Sequence, residues 1–96
     1  MAKGYWVTFY RSISDLAALA EYGKLAGPEI AAGGGKSLSR GMPAKVYEAG
    51  LKERAVLIEF ESVEKAVATF ESPRYQAAAK LLAGKVERDI RIVEGT

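Results

Sequence analysis

Gly4-Tyr5-Trp6-Val7-Thr8-Phe9-Tyr10 and Arg54-Ala55-Val56-Leu57-Ile58-Glu59-Phe60 decide the fold. Successive residues of a β-strand point to opposite faces, and in these two stretches both alternating sets are mainly apolar. A strand of that kind is covered on both faces. The remaining helical pattern is enough for one face only, so the second calls for another copy of the chain. Four strands of ordinary length present on the order of 300 Å² per face, worth up to ~8 kcal/mol if wholly apolar. Left wet, such a face would cost about the whole stability of a small domain. A homodimer packed sheet to sheet, closing a cavity between the sheets, is the expected assembly.

Around these strands the chain punctuates itself. The first strand is expected near Lys3–Arg11, followed by a helix from about Asp15 to Ala32 on the spacing of Leu16, Leu19, Ala20, Gly23, Ala26 and Ile30. Ser12 or Ser14 can cap its first turn, and Pro28 is expected to kink or interrupt it. Gly33-Gly34-Gly35 ends it. Lys36–Arg40 reads as a short polar strand and Gly41–Glu53 as a long hairpin loop with possible extra pairing at Lys45–Glu48. After the strand Arg54–Phe60, Ser62 caps a helix Val63–Glu71. Ser72-Pro73 restarts it as Pro73–Leu82, with Ser as cap and Pro at the first helical position, and Gly84 ends it. A last strand covers Val86–Val93. The order is β-α-β-β-α-β, an α+β ferredoxin-like arrangement with the first and third strands central and the charged second and fourth at the edges.

Length and composition set outer limits. Ninety-six residues make one domain, 1–96, small enough to be marginal alone. No apolar run approaches the ~18 residues of a membrane span. Met1-Ala2-Lys3-Gly4 leads into the first strand without a signal-peptide pattern, so a cytoplasmic location is expected. The chain has no cysteine and no histidine, which excludes disulfides, thiolate nucleophiles and the commonest general base and metal ligand. A net charge of +2 without a basic run gives no reason to expect nucleic acid. Gly33-Gly34-Gly35 follows a helix rather than preceding one, the wrong end of the helix dipole for a phosphate loop. No metal set or nucleophile constellation stands out, and no cofactor is expected.

One set of residues carries a family resemblance: Gly4-Tyr5-Trp6, Tyr22, Gly34-Gly35-Lys36 leading to Arg40-Gly41, Arg54 through Ile58-Glu59-Phe60-Glu61-Ser62, Ser72-Pro73-Arg74-Tyr75-Gln76 and Ile92-Val93-Glu94-Gly95. Over nearly its whole length the chain resembles the domain of unknown function 1330 family. The resemblance implies a dimeric α+β barrel of ferredoxin-like protomers and no established reaction. Ser37, where the family usually has a larger and often aromatic residue, and the polar Ser39 depart from the pattern. Both bear on the shape of the edge strand and the cavity wall.

Face parity assigns Val56, Ile58 and Phe60 to the helix side, and Trp6, Thr8 and Tyr10 to the second face with Glu59. On that face Glu59 is expected either to pair with Arg40, Arg54 or Arg91, or to keep a raised pKa as a general acid or base. Arg40 can serve as an anion-binding guanidinium at a pocket mouth or as a loop tether. Tyr22 and Tyr75 are core residues with hydrogen-bonded tips or offer their hydroxyls to a ligand. Trp6 and Tyr10 stack on a flat ligand or pack on the partner sheet. Any ligand is then an anionic or polar small molecule between Arg40 or Arg54, Glu59 and the hydroxyls of Tyr22 or Tyr75. Two classes stay open: a small-molecule-binding barrel, with or without cofactor-independent catalysis, and a non-enzymatic dimerisation or effector-binding module. An RNA-recognition motif shares the strand order, but Ala55, Leu57 and Glu59 stand where its third strand needs aromatic rings.

Overall fold

The computed structural model describes residues 2–96. Strands β1 (Gly4–Ile13), β2 (Lys36–Gly41), β3 (Ala55–Phe60) and β4 (Val86–Glu94) form one antiparallel sheet in the order β2-β3-β1-β4. The apolar β1 and β3 are central and the charged strands are the edges. Helices α1 (Leu16–Ala32), α2 (Val63–Glu71) and α3 (Pro73–Ala79), the last extended by a 3-10 turn at Lys80–Leu82, lie together on one face. This is the α+β ferredoxin-like protomer.

Helix boundaries follow local chemistry. Ser62 Oγ accepts the amide of Lys65, and Ser72 Oγ accepts the amide of Tyr75 with Pro73 next in line, so the region 63–82 is broken at Ser72 as expected. The α1 cap differs. β1 runs on to Ile13, a bulge at Arg11 keeps it paired with β4, and Ser14 Oγ is bonded to the carbonyl of Lys85. The capping oxygen is instead that of Asp15, which accepts the amide of Ala18 at 2.9 Å. Pro28 does not interrupt α1. It sits on the exposed side, where the Lys24 carbonyl it leaves without an amide partner can meet water. Gly34 turns the chain out of α1 at φ 93°, a backbone angle that side chains with a Cβ rarely take. No strand pairs at Lys45–Glu48. The segment 42–54 is a loop, closed on itself by the Gly50 amide on the Tyr47 carbonyl at 2.8 Å and tied to β1 at its end by the Tyr10 amide on the Arg54 carbonyl at 2.9 Å.

Register decides which face is which, and it reverses one expectation. β1 pairs with β3 as Trp6↔Ile58 and Thr8↔Val56, and residues directly opposite in an antiparallel pair share a face. Trp6, Thr8 and Tyr10 therefore lie on the helix side with Val56, Ile58 and Phe60, not with Glu59. Trp6 is 1% exposed, stacked on Phe60 and edge-on to Phe70 and Tyr75 at centroid distances of 5.3 and 5.0 Å. The second face carries Tyr5, Val7, Phe9, Ala55, Leu57 and Glu59, with Val93 and Arg91 from β4. It is the exposed face: Phe9 is 48% and Val93 51% exposed.

Candidate ligand cavity

The helix layer does not fill the space over the sheet evenly. Beneath α2 and α3 the Trp6 ring packs against Phe60, Phe70 and Tyr75, and Phe70 against Tyr75. Beneath α1, toward β2, a cavity of about 300 Å³ remains. Its existence traces to residue size. The lining positions of α1 include Gly23, Ala26, Gly27 and Ala31, and the facing edge strand contributes Ser37. A Cβ built at Gly23 or Gly27 would meet no heavy atom within 4 Å. Glycine in a helix interior costs roughly 0.5–1 kcal/mol relative to alanine. These two are therefore not required by close packing, and they leave room.

Charge enters the cavity from three strand segments. Arg40 on β2, Arg54 just before β3 and Arg88 on β4 all line it. The lining contains no carboxylate, and among the described residues none of these three arginines belongs to an ion pair. The walls are otherwise Trp6, Leu19, Ile30, Val56 and Ile58, with Thr8, Tyr10 and Tyr22.

At the inner end, Arg88 binds two phenols at once. Nη1 donates to the Tyr22 hydroxyl and Nη2 to the Tyr75 hydroxyl, each at 3.1 Å, and the two hydroxyls are 2.7 Å apart. The guanidinium also lies over the Tyr22 ring, 5.0 Å from its centroid. Burial pushes the Tyr75 phenol well above its ordinary pKa, reinforced by Tyr22 and opposed by Arg88. Burial raises Tyr10 as well, again against the pull of Arg88. Both phenols are neutral at physiological pH. Thr8 Oγ1 accepts the indole N–H of Trp6 at 3.0 Å.

Six of the seven candidates from the sequence thus belong to one neighbourhood. Trp6, Tyr10, Tyr22, Arg40 and Arg54 line the cavity and Tyr75 stands behind it, hydrogen-bonded to Tyr22. Glu59 is on the other side of the sheet. It pairs there with Lys3 at 3.5 Å and accepts the Tyr5 hydroxyl at 3.3 Å, while Arg91 holds Asp89. None of Arg40, Arg54 or Arg91 is its partner: Arg40 and Arg54 are in phase with Val56 and Ile58 on the helix side, from which Glu59 alternates away, and Arg91, on Glu59's own face, is held by Asp89. The cavity lined by Arg40 and Arg54 lies within one protomer, between α1 and the sheet. Arg88 was not among the candidates. Its signal was available in the alternation Arg88, Ile90, Ile92, which puts the arginine in phase with two apolar residues that pack against the core.

A second hollow of about 870 Å³ lies between the exposed sheet face and the loop 42–54, near Phe9, Ser39, Ala55 and Arg91. The loop presents Met42, Val46, Tyr47 and Leu51 to solvent. Among the described residues no group of carboxylates could hold a metal ion, and no helix is long and apolar enough to cross a membrane.

A family model described as a domain of unknown function, DUF1330, matches residues 3–96. No curated protein matches the sequence. Among solved structures, a protein of unknown function from Rhodopseudomonas palustris superposes with a TM-score of 0.75 at 18% identity, over 99% of this chain and 83% of that one. A dimeric ferredoxin-like protein of unknown function from Thermobifida fusca gives 0.66 at 16% identity, covering 96% and 90%. A protein of the ethyl tert-butyl ether D (EthD) family from Bacillus halodurans gives 0.65 at 13% identity, covering the full length of both. At these identities the likeness is one of fold.

Proposed function

Because the chain belongs to the DUF1330 family, whose description carries no reaction, we propose a function from the cavity alone: binding of a small organic anion with an apolar body. The observation that carries this is three arginines around a cavity of apolar walls with no carboxylate in the lining. A guanidinium at such a site, without an acidic partner, is matched by an anionic ligand, and its planar fork suits a carboxylate. The volume is at the small end of the ~300–1,000 Å³ range of ligand pockets. With no carboxylate in the lining and no histidine or cysteine in the chain, proton handling would fall to tyrosine and arginine. The lining supports binding more directly than turnover.

The working assembly we propose is a homodimer through the exposed sheet face. Phe9, Leu57 and Val93 there need cover that the protomer does not supply, and a structural neighbour from Thermobifida fusca is described as dimeric. Burying that face leaves the cavities under α1 of both protomers intact. Light scattering at micromolar concentration should give about twice the chain mass. A stable monomer would remove the dimer from this reading.

Thermal-shift screening against small aromatic and aliphatic carboxylates tests the anion site. A ligand at ~100 times its Kd stabilises by about 2.7 kcal/mol, a shift of several degrees for a domain of this size. Arg54→Ala should weaken the best carboxylate at least about tenfold, the value of a charge-assisted hydrogen bond. Affinity unchanged from that of the unmodified protein in both Arg54→Ala and Arg40→Ala would refute the site.

A further inference from the structure

Hydrogen-bond arithmetic at the inner end of the cavity leaves one proton over. A phenol has one proton to give and two lone pairs to accept with, and a guanidinium only gives. Arg88 therefore donates to both Tyr22 and Tyr75, filling one lone pair on each. The contact of 2.7 Å between the phenols uses one further proton and one further lone pair. Whichever phenol accepts in that contact has both lone pairs filled and its own proton uncommitted.

Burial says which one it is. Tyr75 is 0% exposed and does not line the cavity, so a leftover proton there would be a buried donor without a partner, the costly arrangement. Tyr22 does line the cavity. The cheaper arrangement has Tyr75 donating to Tyr22, and Tyr22 directing its own proton into the open space.

We infer that Tyr22 is a specificity-determining donor and that the ligand of this cavity is a carboxylate bearing a second, acceptor-only oxygen, a keto or other carbonyl group, which receives the Tyr22 proton. This rests on the anion-binding reading for the carboxylate end. Tyr22 has a proton and no lone pair to offer, so it welcomes an acceptor and rejects a group that can only donate. Two donors, the Arg88 guanidinium and the Tyr75 hydroxyl, already bond to its oxygen, and each polarises the O–H further. A ligand that puts a methylene at that point leaves the proton buried without a partner, the situation in which a site discriminates most strongly.

Two measurements test it. Neutron diffraction from a deuterium-exchanged crystal of the protein should show the Tyr75 deuteron on the line to Tyr22 Oη and the Tyr22 deuteron pointing into the cavity. The reverse arrangement overturns the inference without any ligand being needed. Calorimetric titration with matched pairs, benzoylformate against phenylacetate and 3-benzoylpropionate against 4-phenylbutyrate, reads the consequence. In at least one pair the keto acid should bind about tenfold or more tightly than its methylene counterpart, and Tyr22→Phe should erase the difference while leaving the methylene acid's affinity in place. Keto and methylene acids binding equally to the unmodified protein would sink the donor role and leave the anion site standing. Failure of all four acids to bind would count against the anion site itself.

Discussion

Two halves of one helix layer are built to different ends. Under α2 and α3, Trp6, Phe60, Phe70 and Tyr75 fill the space with rings in contact, and Trp6 and Tyr75 are 1% and 0% exposed. Under α1, on the same sheet, Gly23, Ala26 and Gly27 leave a cavity that three arginines line. The first half stabilises the protomer. The second gives up packing and helix propensity, and what it keeps in exchange is charge and room. Arg88 and Tyr75 join the two, since the phenol that closes the aromatic cluster also positions the polar end of the cavity.

The contrast can be broken most forcefully in the packed half. Trp6→Ala removes a ring held by three others and should cost about 3–5 kcal/mol in urea unfolding, with no compensating relaxation of the α1 side. A cost below ~1 kcal/mol would mean the cluster is not the stabilising half. Arg88→Met keeps an apolar stem but removes both bonds to the phenols. It should cost about 1–3 kcal/mol in the same assay and also abolish carboxylate binding, a double loss expected only of a residue shared by the two halves.

Titration sharpens the point. The folded Tyr75 holds its proton more tightly than the unfolded one, so its contribution is complete below pH ~10 and is lost as the pH rises beyond that value. Denaturation midpoints should therefore fall on the alkaline side of pH 10, and Tyr75→Phe should flatten that limb. The smallest effect belongs to the open half, and its sign is opposite. Gly23→Ala adds a methyl where nothing lies within 4 Å and should raise stability by roughly 0.5–1 kcal/mol. Destabilisation there would mean the space is already used by the fold.

Much of this was legible in the chain because it is local. Ser72-Pro73 announces a helix restart, and the two-sided apolarity of β1 and β3 places them in the middle of the sheet. What was not legible depends on long-range register. Periodicity divides Trp6, Thr8 and Tyr10 from Tyr5, Val7 and Phe9, yet only the pairing Trp6↔Ile58 says which set meets the helices. Glu59 was drawn into the site by that missing register, and Arg88 was left out because a charge on an edge strand reads as solvated. The cavity's cause, glycines whose missing side chains have no neighbour to avoid, is likewise visible only once α1 is seated on the sheet. Tyr22, singled out on a helix that covers the sheet, and Arg40, singled out between a strand and Gly41, line the same cavity as Arg54.

The central claim, that the space under α1 is kept for a ligand and not for packing, is tested most directly by calorimetric titration of Gly27→Leu with the tightest carboxylate found for the unmodified protein. The leucine side chain would occupy the cavity from α1. The account predicts that binding is lost while the unfolding free energy stays equal or rises. Undiminished binding in a folded Gly27→Leu protein would contradict it.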